Sequence, residues 1–206
     1  MILAGDIFDL WRKSPDQIRK EYKGTIELLR RLKARGTKIE YILGTHDALY
    51  LKDPIIPLAE IPVHPYIKKT LPCGKKIIII HGHELDPMYL PGRIAAFFNF
   101  IGSVFGCRFG FKRTTVNDLI GQKYIDGVRA IHEKAQRKYN SYDYVIMGHT
   151  HAPLSSPKKE KLAGLYNVGD WKGHNSYVVI DGDKITIRYM MSDPPHEWRW
   201  FRLYED

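Results

Sequence analysis

The sequence predicts an α/β fold in a single domain over residues 1–206, and three observations carry that prediction. The chain has 206 residues of which 44% are hydrophobic, enough for one sizeable core. A strand, a helix and a second strand follow one another over its first 43 residues. Two short β-branched or apolar runs, at 76–80 and 144–147, then end in glycine and histidine. Alternation of this kind is typical of βαβ units.

The first unit is defined by its boundary residues. An apolar run over 1–4 predicts a buried strand. Ser14 followed by Pro15 and Asp16 is a helix-start signal, and Gly36 ends the helix. Residues 38–43 then form the second predicted strand. The helix between them carries its apolar residues at helical spacing, namely Ile18, Tyr22, Ile26, Leu29 and Leu32.

The remaining elements are shorter. Four prolines between residues 53 and 65 predict a loop with short extended pieces. Residues 88–138 form a predicted helical insertion, whose second part over 117–138 is amphipathic and basic. Further strands are predicted near 164–168, 176–180, 184–190 and 197–203, with a hairpin turn at Asp181–Asp183.

Composition limits the environment and the partners. The net charge of +9 favours anionic partners such as nucleic acid, acidic membrane surfaces or phosphorylated substrates, although a solvated basic surface gives the same balance. The two cysteines form no CxxC pair, which indicates a reducing compartment. No signal peptide or membrane span is recognisable, so we expect a cytoplasmic protein.

Polar residues follow four of the predicted strands, and they have the chemistry of metal ligands. The four strand ends carry Gly5-Asp6, Gly44-Thr-His-Asp47, His81-Gly-His83 and Gly148-His-Thr-His151. Each piece has a structural interpretation, as a turn, a cap or a hydrogen-bonded histidine. Strand ends in open α/β sheets converge, however, and alternate residues such as His149 and His151 face the same way. Imidazole and carboxylate together favour Mn, Fe or Zn.

These motifs, in this order, resemble those of the calcineurin-like metallophosphoesterases, and the resemblance covers nearly the whole chain. The stretches 5–11 and 166–171 are similar to the UDP-2,3-diacylglucosamine pyrophosphatase group, as is the insertion 88–138 between the HGH and GHTH motifs. The resemblance implies a layered α/β/β/α sandwich. It also implies two divalent ions, most simply Mn2+, with Fe or Zn as alternatives, and a metal-bound hydroxide that attacks phosphorus.

The resemblance implies a role for each motif residue. Asp6 matches a carboxylate that bridges the two ions, and His46 matches a group that stabilises the transition state or protonates the leaving oxygen. Asp47 is expected to orient His46. Asp9 and His83 are expected to support ligands rather than to bind an ion. The remaining expected ligands are Thr45, His81 and His149 for the second ion and His151 for the first.

Two departures from the family pattern stand out. The family's DxH segment lies upstream of GDxxD, and this chain has no such segment, so we expect an amino-terminally truncated member; the alternative is a natural form that binds one ion or none. Thr45 also stands where the family has asparagine, and its shorter hydroxyl is a weaker ligand.

Residues 88–113 combine many aromatic side chains with arginine, and two interpretations stay open. They form a helical lid packed on the body, or an amphipathic surface that holds an acyl chain or touches the inner face of a membrane. Arg93, Arg108 and Arg113 are candidate phosphate contacts by residue type alone.

The predicted function is metal-dependent hydrolysis of a phosphoester or pyrophosphate bond. The substrate expected from the resemblance is a phosphorylated small molecule or a lipid-linked nucleotide. Two alternatives remain: a metal-poor, inactive homologue that serves as a binding module, and a nucleic-acid phosphodiesterase, which the net charge of +9 favours.

Overall fold

The computed structural model describes residues 1–8, 13–47, 55–56, 60–87, 122–171 and 173–190. Predictions for the first part of the insertion and for a strand at 197–203 therefore lie outside the described residues. Within them, the chain forms two sheets, a hairpin and three α-helices, as expected for an α/β fold.

The amino-terminal unit is the predicted βαβ arrangement. Strand β1 (Ile2–Leu3) pairs in parallel with β2 (Glu40–Ile42). Between them run α1 (Pro15–Glu21) and α2 (Lys23–Ala34). Ser14 caps α1 in a reciprocal capping box with Gln17, as the start signal predicts. The single predicted helix is wrong in one respect: it breaks at Tyr22, whose ring packs edge-on against Phe8, 5.9 Å away.

The first sheet has four strands in the order β1-β2-β4-β3. Strand β3 (Ile55–Ile56) runs antiparallel to β4 (Ile61–His64), which lies parallel to β2. These are the short extended pieces predicted within the proline-rich stretch.

The second sheet has five strands in the order β5-β6-β7-β9-β8. Its parallel centre is β6 (Lys76–Ile80), β7 (Tyr144–Met147) and β9 (Gly164–Asn167). Strands β5 (Tyr66–Thr70) and β8 (Leu154–Ser156) pair antiparallel at its two edges. The predictions of strands at 76–80, 144–147 and 164–168 are confirmed.

A separate hairpin follows, made of β10 (Ser176–Asp181) and β11 (Lys184–Tyr189). Asp181 pairs with Lys184, so the loop is Gly182-Asp183, and Gly182 has φ +55°. This pairing confirms the predicted hairpin turn. Glycine suits position 182 because a two-residue turn of this type needs a positive φ there.

Three apolar layers show that the sandwich has the order α/β/β/α. The outer layer under α1 and α2 joins Ile18, Ile26 and Leu29 to Tyr41 of β2. On the opposite side, α3 (Gln122–Lys138) packs on β6, β7 and β9. The middle layer lies between the sheets, since it joins Ile42 to residues of the second sheet. Its buried members are Ile42, Ile67, Leu71, Ile77, Ile79, Ile146 and Ile185.

The helix α3 is the described part of the predicted basic helix 117–138. Among the helices that the structure describes, none is long and apolar enough to cross a membrane.

Candidate metal centre

The candidate site lies where strands of both sheets end. Asp6 follows β1, and Gly44–Asp47 follows β2 in the first sheet. His81 and His83 follow β6, and His149 and His151 follow β7 in the second sheet. Because β1 is parallel to β2 and β6 to β7, each pair of carboxyl ends meets at one edge.

Asp6 connects three of these strand ends. Its N–H donates to Oδ2 of Asp47 at 2.8 Å, and its own Oδ1 accepts from the N–H of His46 at 2.7 Å. Its Oδ2 lies 3.2 Å from Nε2 of His81. Burial alone would raise the pKa of Asp6, but His81 and the His46 N–H outweigh it and lower that pKa to about 2. Asp6 is therefore a carboxylate at neutral pH.

His81 directs its Nε2 at the carboxylate of Asp6. Its Nδ1 lies 2.7 Å from the carbonyl oxygen of Ala4 and donates to it, which leaves Nε2 to face Asp6. Nε2 is buried and makes no hydrogen bond despite its closeness to Asp6. Either a proton on Nε2 or a cation between the two groups would stabilise this arrangement. Burial disfavours a charged ring, but Asp6 overcomes this effect and raises the pKa of His81.

Two further histidines surround His81. The ring centroids of His149 and His83 lie 5.3 Å and 5.4 Å from that of His81. Burial lowers the pKa of His83 to about 4, and the neighbouring His81 adds to this effect. His83 is therefore a neutral imidazole at neutral pH, as a ligand or a supporting residue must be.

The loop 148–151 has an uncommon backbone at both of its histidines. His149 has φ +65° and His151 has φ +56°, while Asp6 has φ +55°. Non-glycine residues seldom adopt this left-handed conformation, and it tends to occur at functional sites. Nε2 of His149 lies 2.9 Å from Oδ2 of Asp86. The exposed His151 interacts electrostatically with Asp170 and with Asp6.

Asp47 holds the first sheet's strand ends together. It is fully buried, and its Oδ2 accepts from the N–H groups of Asp6 at 2.8 Å and Gly44 at 3.0 Å. Burial and the charge of Asp6 raise the pKa of Asp47 to about 6. Thr45, beside it, has a buried Oγ1 without a hydrogen-bond partner. That oxygen is available to a ligand.

Several contacts at the site were absent from the sequence-based prediction. Asp86, which contacts His149, follows a one-turn 3-10 helix (His83–Leu85) and belongs to no recognised motif. Asp170 lies 2.5 Å from Nδ1 of His174, and this partner helps to lower the pKa of Asp170 to about 2 against the opposing effect of burial. Asp170 lies in the 166–171 stretch that resembles the pyrophosphatase group, which was the available signal.

Four predicted site residues lie outside the described part of the chain, namely Asp9, Arg93, Arg108 and Arg113. The same holds for the surface predicted over 88–113. These assignments stay predictions.

The residues present fit a divalent cation by their chemistry. The best observation is the buried Nε2 of His81, which faces Oδ2 of Asp6 at 3.2 Å with no hydrogen bond between them. Metal-binding histidines commonly donate a hydrogen bond from their other ring N–H to a carbonyl oxygen, as His81 does to Ala4. Within the described ranges, however, no three His, Cys, Asp or Glu side chains are already grouped around one point. His149 is turned to Asp86 instead.

Fold and site thus define a class: a layered α/β protein with carboxylate and imidazole at the strand ends of two facing sheets. Two curated relatives are similar to it. A UDP-2,3-diacylglucosamine hydrolase of Psychromonas ingrahamii is 26% identical over 91% of this chain and 82% of the relative. A protein of the same name from Porphyromonas gingivalis is 24% identical over 90% and 81%. These similarities confirm the resemblance predicted from the motifs, and the hydrolase names agree with the predicted class of enzyme.

Solved structures are less similar. An archaeal phosphodiesterase is 16% identical, with 91% of this chain and 95% of that chain covered and a TM-score of 0.41. A hypothetical protein from Pyrococcus horikoshii OT3 is 12% identical, with 94% and 89% covered and a TM-score of 0.43. Neither likeness is strong enough to support an argument about function. No family model matches the chain.

Proposed function

We propose that the chain is a metal-dependent hydrolase of phosphoester or pyrophosphate bonds. One observation carries the proposal: a carboxylate of the first sheet, Asp6, meets a buried imidazole of the second, His81, at 3.2 Å without a hydrogen bond. The hydrolase names of both relatives, each similar over about nine tenths of the chain, support the same chemistry.

Two divalent ions, most simply Mn2+, are the proposed cofactor. Asp6, with two carboxylate oxygens between the sheets, would be shared by both ions. When bound, such ions supply positive charge to a phosphoryl group and lower the pKa of a water molecule. The other proposed ligands are Thr45, His81, His149 and His151, which all belong to the strand ends described above.

The chain's own residues would position and protonate the substrate. Asp47 holds the backbone of Asp6 and Gly44, and so keeps the carboxylate of Asp6 directed at the second sheet. The backbone of His46 is held by Oδ1 of Asp6 at 2.7 Å. We assign to the half-buried His46 ring the protonation of the leaving oxygen.

The proposed substrate is a lipid-linked nucleotide of the kind named in the two relatives, UDP-2,3-diacylglucosamine. The net charge of +9 suits a substrate with a pyrophosphate group. Contacts from Arg93, Arg108 and Arg113, and membrane contact through 88–113, are part of the same proposal.

A second candidate function is a metal-poor binding module. It is favoured by one observation: in the part of the chain that is described, no three ligand side chains are grouped around one point. The two candidates differ in whether the chain holds Mn2+ and hydrolyses a phosphodiester.

The experiment loads the 206-residue chain with Mn2+, counts bound metal, and measures hydrolysis of bis(p-nitrophenyl) phosphate and UDP-2,3-diacylglucosamine. Asp6→Asn and His81→Gln test the site, and Asp181→Asn, at the exposed end of β10, is the matched control. We expect hydrolysis by the wild type and the control and its loss in both site variants. Activity retained in both site variants would overturn the site assignment. Absence of both metal and hydrolysis in the wild type would favour the binding module.

A further inference from the structure

A buried polar cluster lies directly behind the loop 148–151. It joins three separate elements: His132 of α3, Thr150 of the loop, and Asn167 at the end of β9. His132 and Asn167 are fully buried, and Thr150 is 6% exposed. Buried polar side chains are costly unless they are hydrogen-bonded, so such a cluster needs a complete set of partners.

The orientation of the Asn167 amide is determined by backbone groups on both of its ends. Its Oδ1 accepts from the N–H of Gly169 at 2.9 Å, and its Nδ2 donates to the carbonyl oxygen of Gly148 at 3.0 Å. Exchanging the oxygen and nitrogen of the amide would place its NH2 against the N–H of Gly169 and its oxygen against the carbonyl oxygen of Gly148. In this orientation Nδ2 also donates to Oγ1 of Thr150 at 2.7 Å.

The protonation of His132 follows from that orientation. Nε2 of His132 lies 2.9 Å from Oγ1 of Thr150 and 3.2 Å from Nδ2 of Asn167. Because the Nδ2 side of Asn167 presents hydrogens and no lone pair, the arrangement favours Nε2 as an acceptor, to which the Thr150 hydroxyl donates a hydrogen bond. His132 is then neutral, with its proton on Nδ1. Burial lowers the pKa of His132 to about 4, which agrees with this state at neutral pH.

The loop that this cluster supports is strained at both of its histidines. His149 and His151 have φ +65° and +56°, on either side of Thr150. Residues in this conformation persist only where the surroundings hold them. The loop's own backbone bonds run from Gly148 to His81 at 3.1 Å and from Thr150 to Gly148 at 2.8 Å. The cluster adds side-chain bonds at Gly148 and Thr150.

We infer that His132, Thr150 and Asn167 are positioning residues, which hold His149 and His151 in their ligand conformation and link that loop to helix α3. The hydrogen bonds run from Asn167 to Thr150 and from Thr150 to His132, so the loss of any one of the three residues interrupts them. Thr150 therefore connects α3 to the candidate metal centre. The inference rests on the proposed function only in treating the two histidines as ligands.

The test compares Thr150→Val, which keeps the shape but removes the hydroxyl, with Thr150→Ser, which keeps the hydroxyl. Thr70→Val, on the exposed edge strand β5, is the matched control. Two quantities are measured: the Mn2+ dissociation constant, and amide hydrogen exchange over 148–151 in metal-free protein. We expect Thr150→Val to weaken Mn2+ binding by about 10–100-fold and to speed exchange over 148–151. Thr150→Ser and Thr70→Val are expected to behave like the wild type.

The outcomes separate this inference from the proposed function. Absent Mn2+ binding in the wild type would refute the proposed function, while the exchange comparison would still decide the inference. Unchanged exchange and unchanged affinity in folded Thr150→Val would overturn it. If that variant does not fold, 15N NMR of the wild-type imidazoles at pH 7 decides: His132 must carry its proton on Nδ1, and a proton on Nε2 would overturn the donor chain.

Discussion

Acidification is expected to destabilise the fold through His132, and a His132→Gln variant isolates this effect. The Nε2 atom of the ring accepts a hydrogen bond from the Thr150 hydroxyl. Protonating that nitrogen would place its N–H against the amide hydrogens of Asn167. The folded state therefore resists protonation. Glutamine keeps a neutral acceptor oxygen but has no group that titrates in this range.

The size of the effect follows from the pKa of His132. Burial lowers it from 6.5 in the unfolded chain to about 4 in the folded one. Between these values the unfolded state binds more protons, so the stability is present above pH 6.5 and is lost as the pH falls towards 4. At about 1.4 kcal/mol per pH unit, the loss between pH 7.5 and 4.5 is about 2.5 kcal/mol.

The assay is equilibrium urea unfolding at pH 7.5 and 4.5, in chelator, for the wild type and His132→Gln. Other titrating groups act on both proteins and cancel in the comparison. We expect the wild type to lose about 2.5 kcal/mol more than the variant over this interval. Equal losses in the two proteins would refute the reasoning, because His132 would then not be held neutral by its surroundings.

Three further predictions concern the strand ends. Gly44→Ala is expected to destabilise the fold by about 1–3 kcal/mol, because the added Cβ would collide with the backbone nitrogen and carboxylate of Asp6. The matched change Gly24→Ala, in an exposed turn of α2 with open space around it, is expected to stabilise by about 0.5–1 kcal/mol; thermal unfolding measures both. Asp47→Ala is expected to cost about 1–3 kcal/mol for each of the two N–H groups it leaves without an acceptor, and Asp47→Asn less, in urea titrations. A cost for Asp47→Ala no larger than that for Asp47→Asn would contradict the bracing role of its carboxylate. Mn2+ at 100 times its dissociation constant is expected to stabilise the chain by about 2.7 kcal/mol, and EDTA to reverse this; an unchanged melting temperature would count against the metal centre.

The fold was predictable where periodicity and turn chemistry were strong. The βαβ unit, the β-branched strand β6 and the hairpin at Gly182-Asp183 each follow from a local pattern. The order of the strands was not predictable in this way. That β9 lies beside β7, with Asn167 opposite Met147, depends on packing between distant segments rather than on any local signal.

The residues of the candidate site likewise divide into those predicted from local patterns and those that were missed. Asp6 and His81 were predicted from strand ends, since parallel strands bring their carboxyl ends together. Asp86 was missed because its contact with His149 spans 63 residues and depends on a one-turn helix after β6. His132 was missed because a single histidine on an amphipathic helix is no different in sequence from a solvated one. Only the register of α3 against the loop makes it a partner of Thr150.

The glycines of the motifs explain why carboxylate and imidazole can meet at all. Gly5 has φ +89°, and a Cβ there would collide with the ring of His81. A Cβ on Gly44 would collide with Asp6. Each glycine is thus required because a residue from another strand end lies too close for a side chain, and not by the local turn alone. The approach of Asp6 to His81 therefore depends on side chains being absent at Gly5 and Gly44. A Gly-Asp or Gly-Thr-His-Asp sequence therefore does not form a candidate metal centre alone. It also needs an imidazole from a second sheet, placed in the space left by the absent glycine side chains.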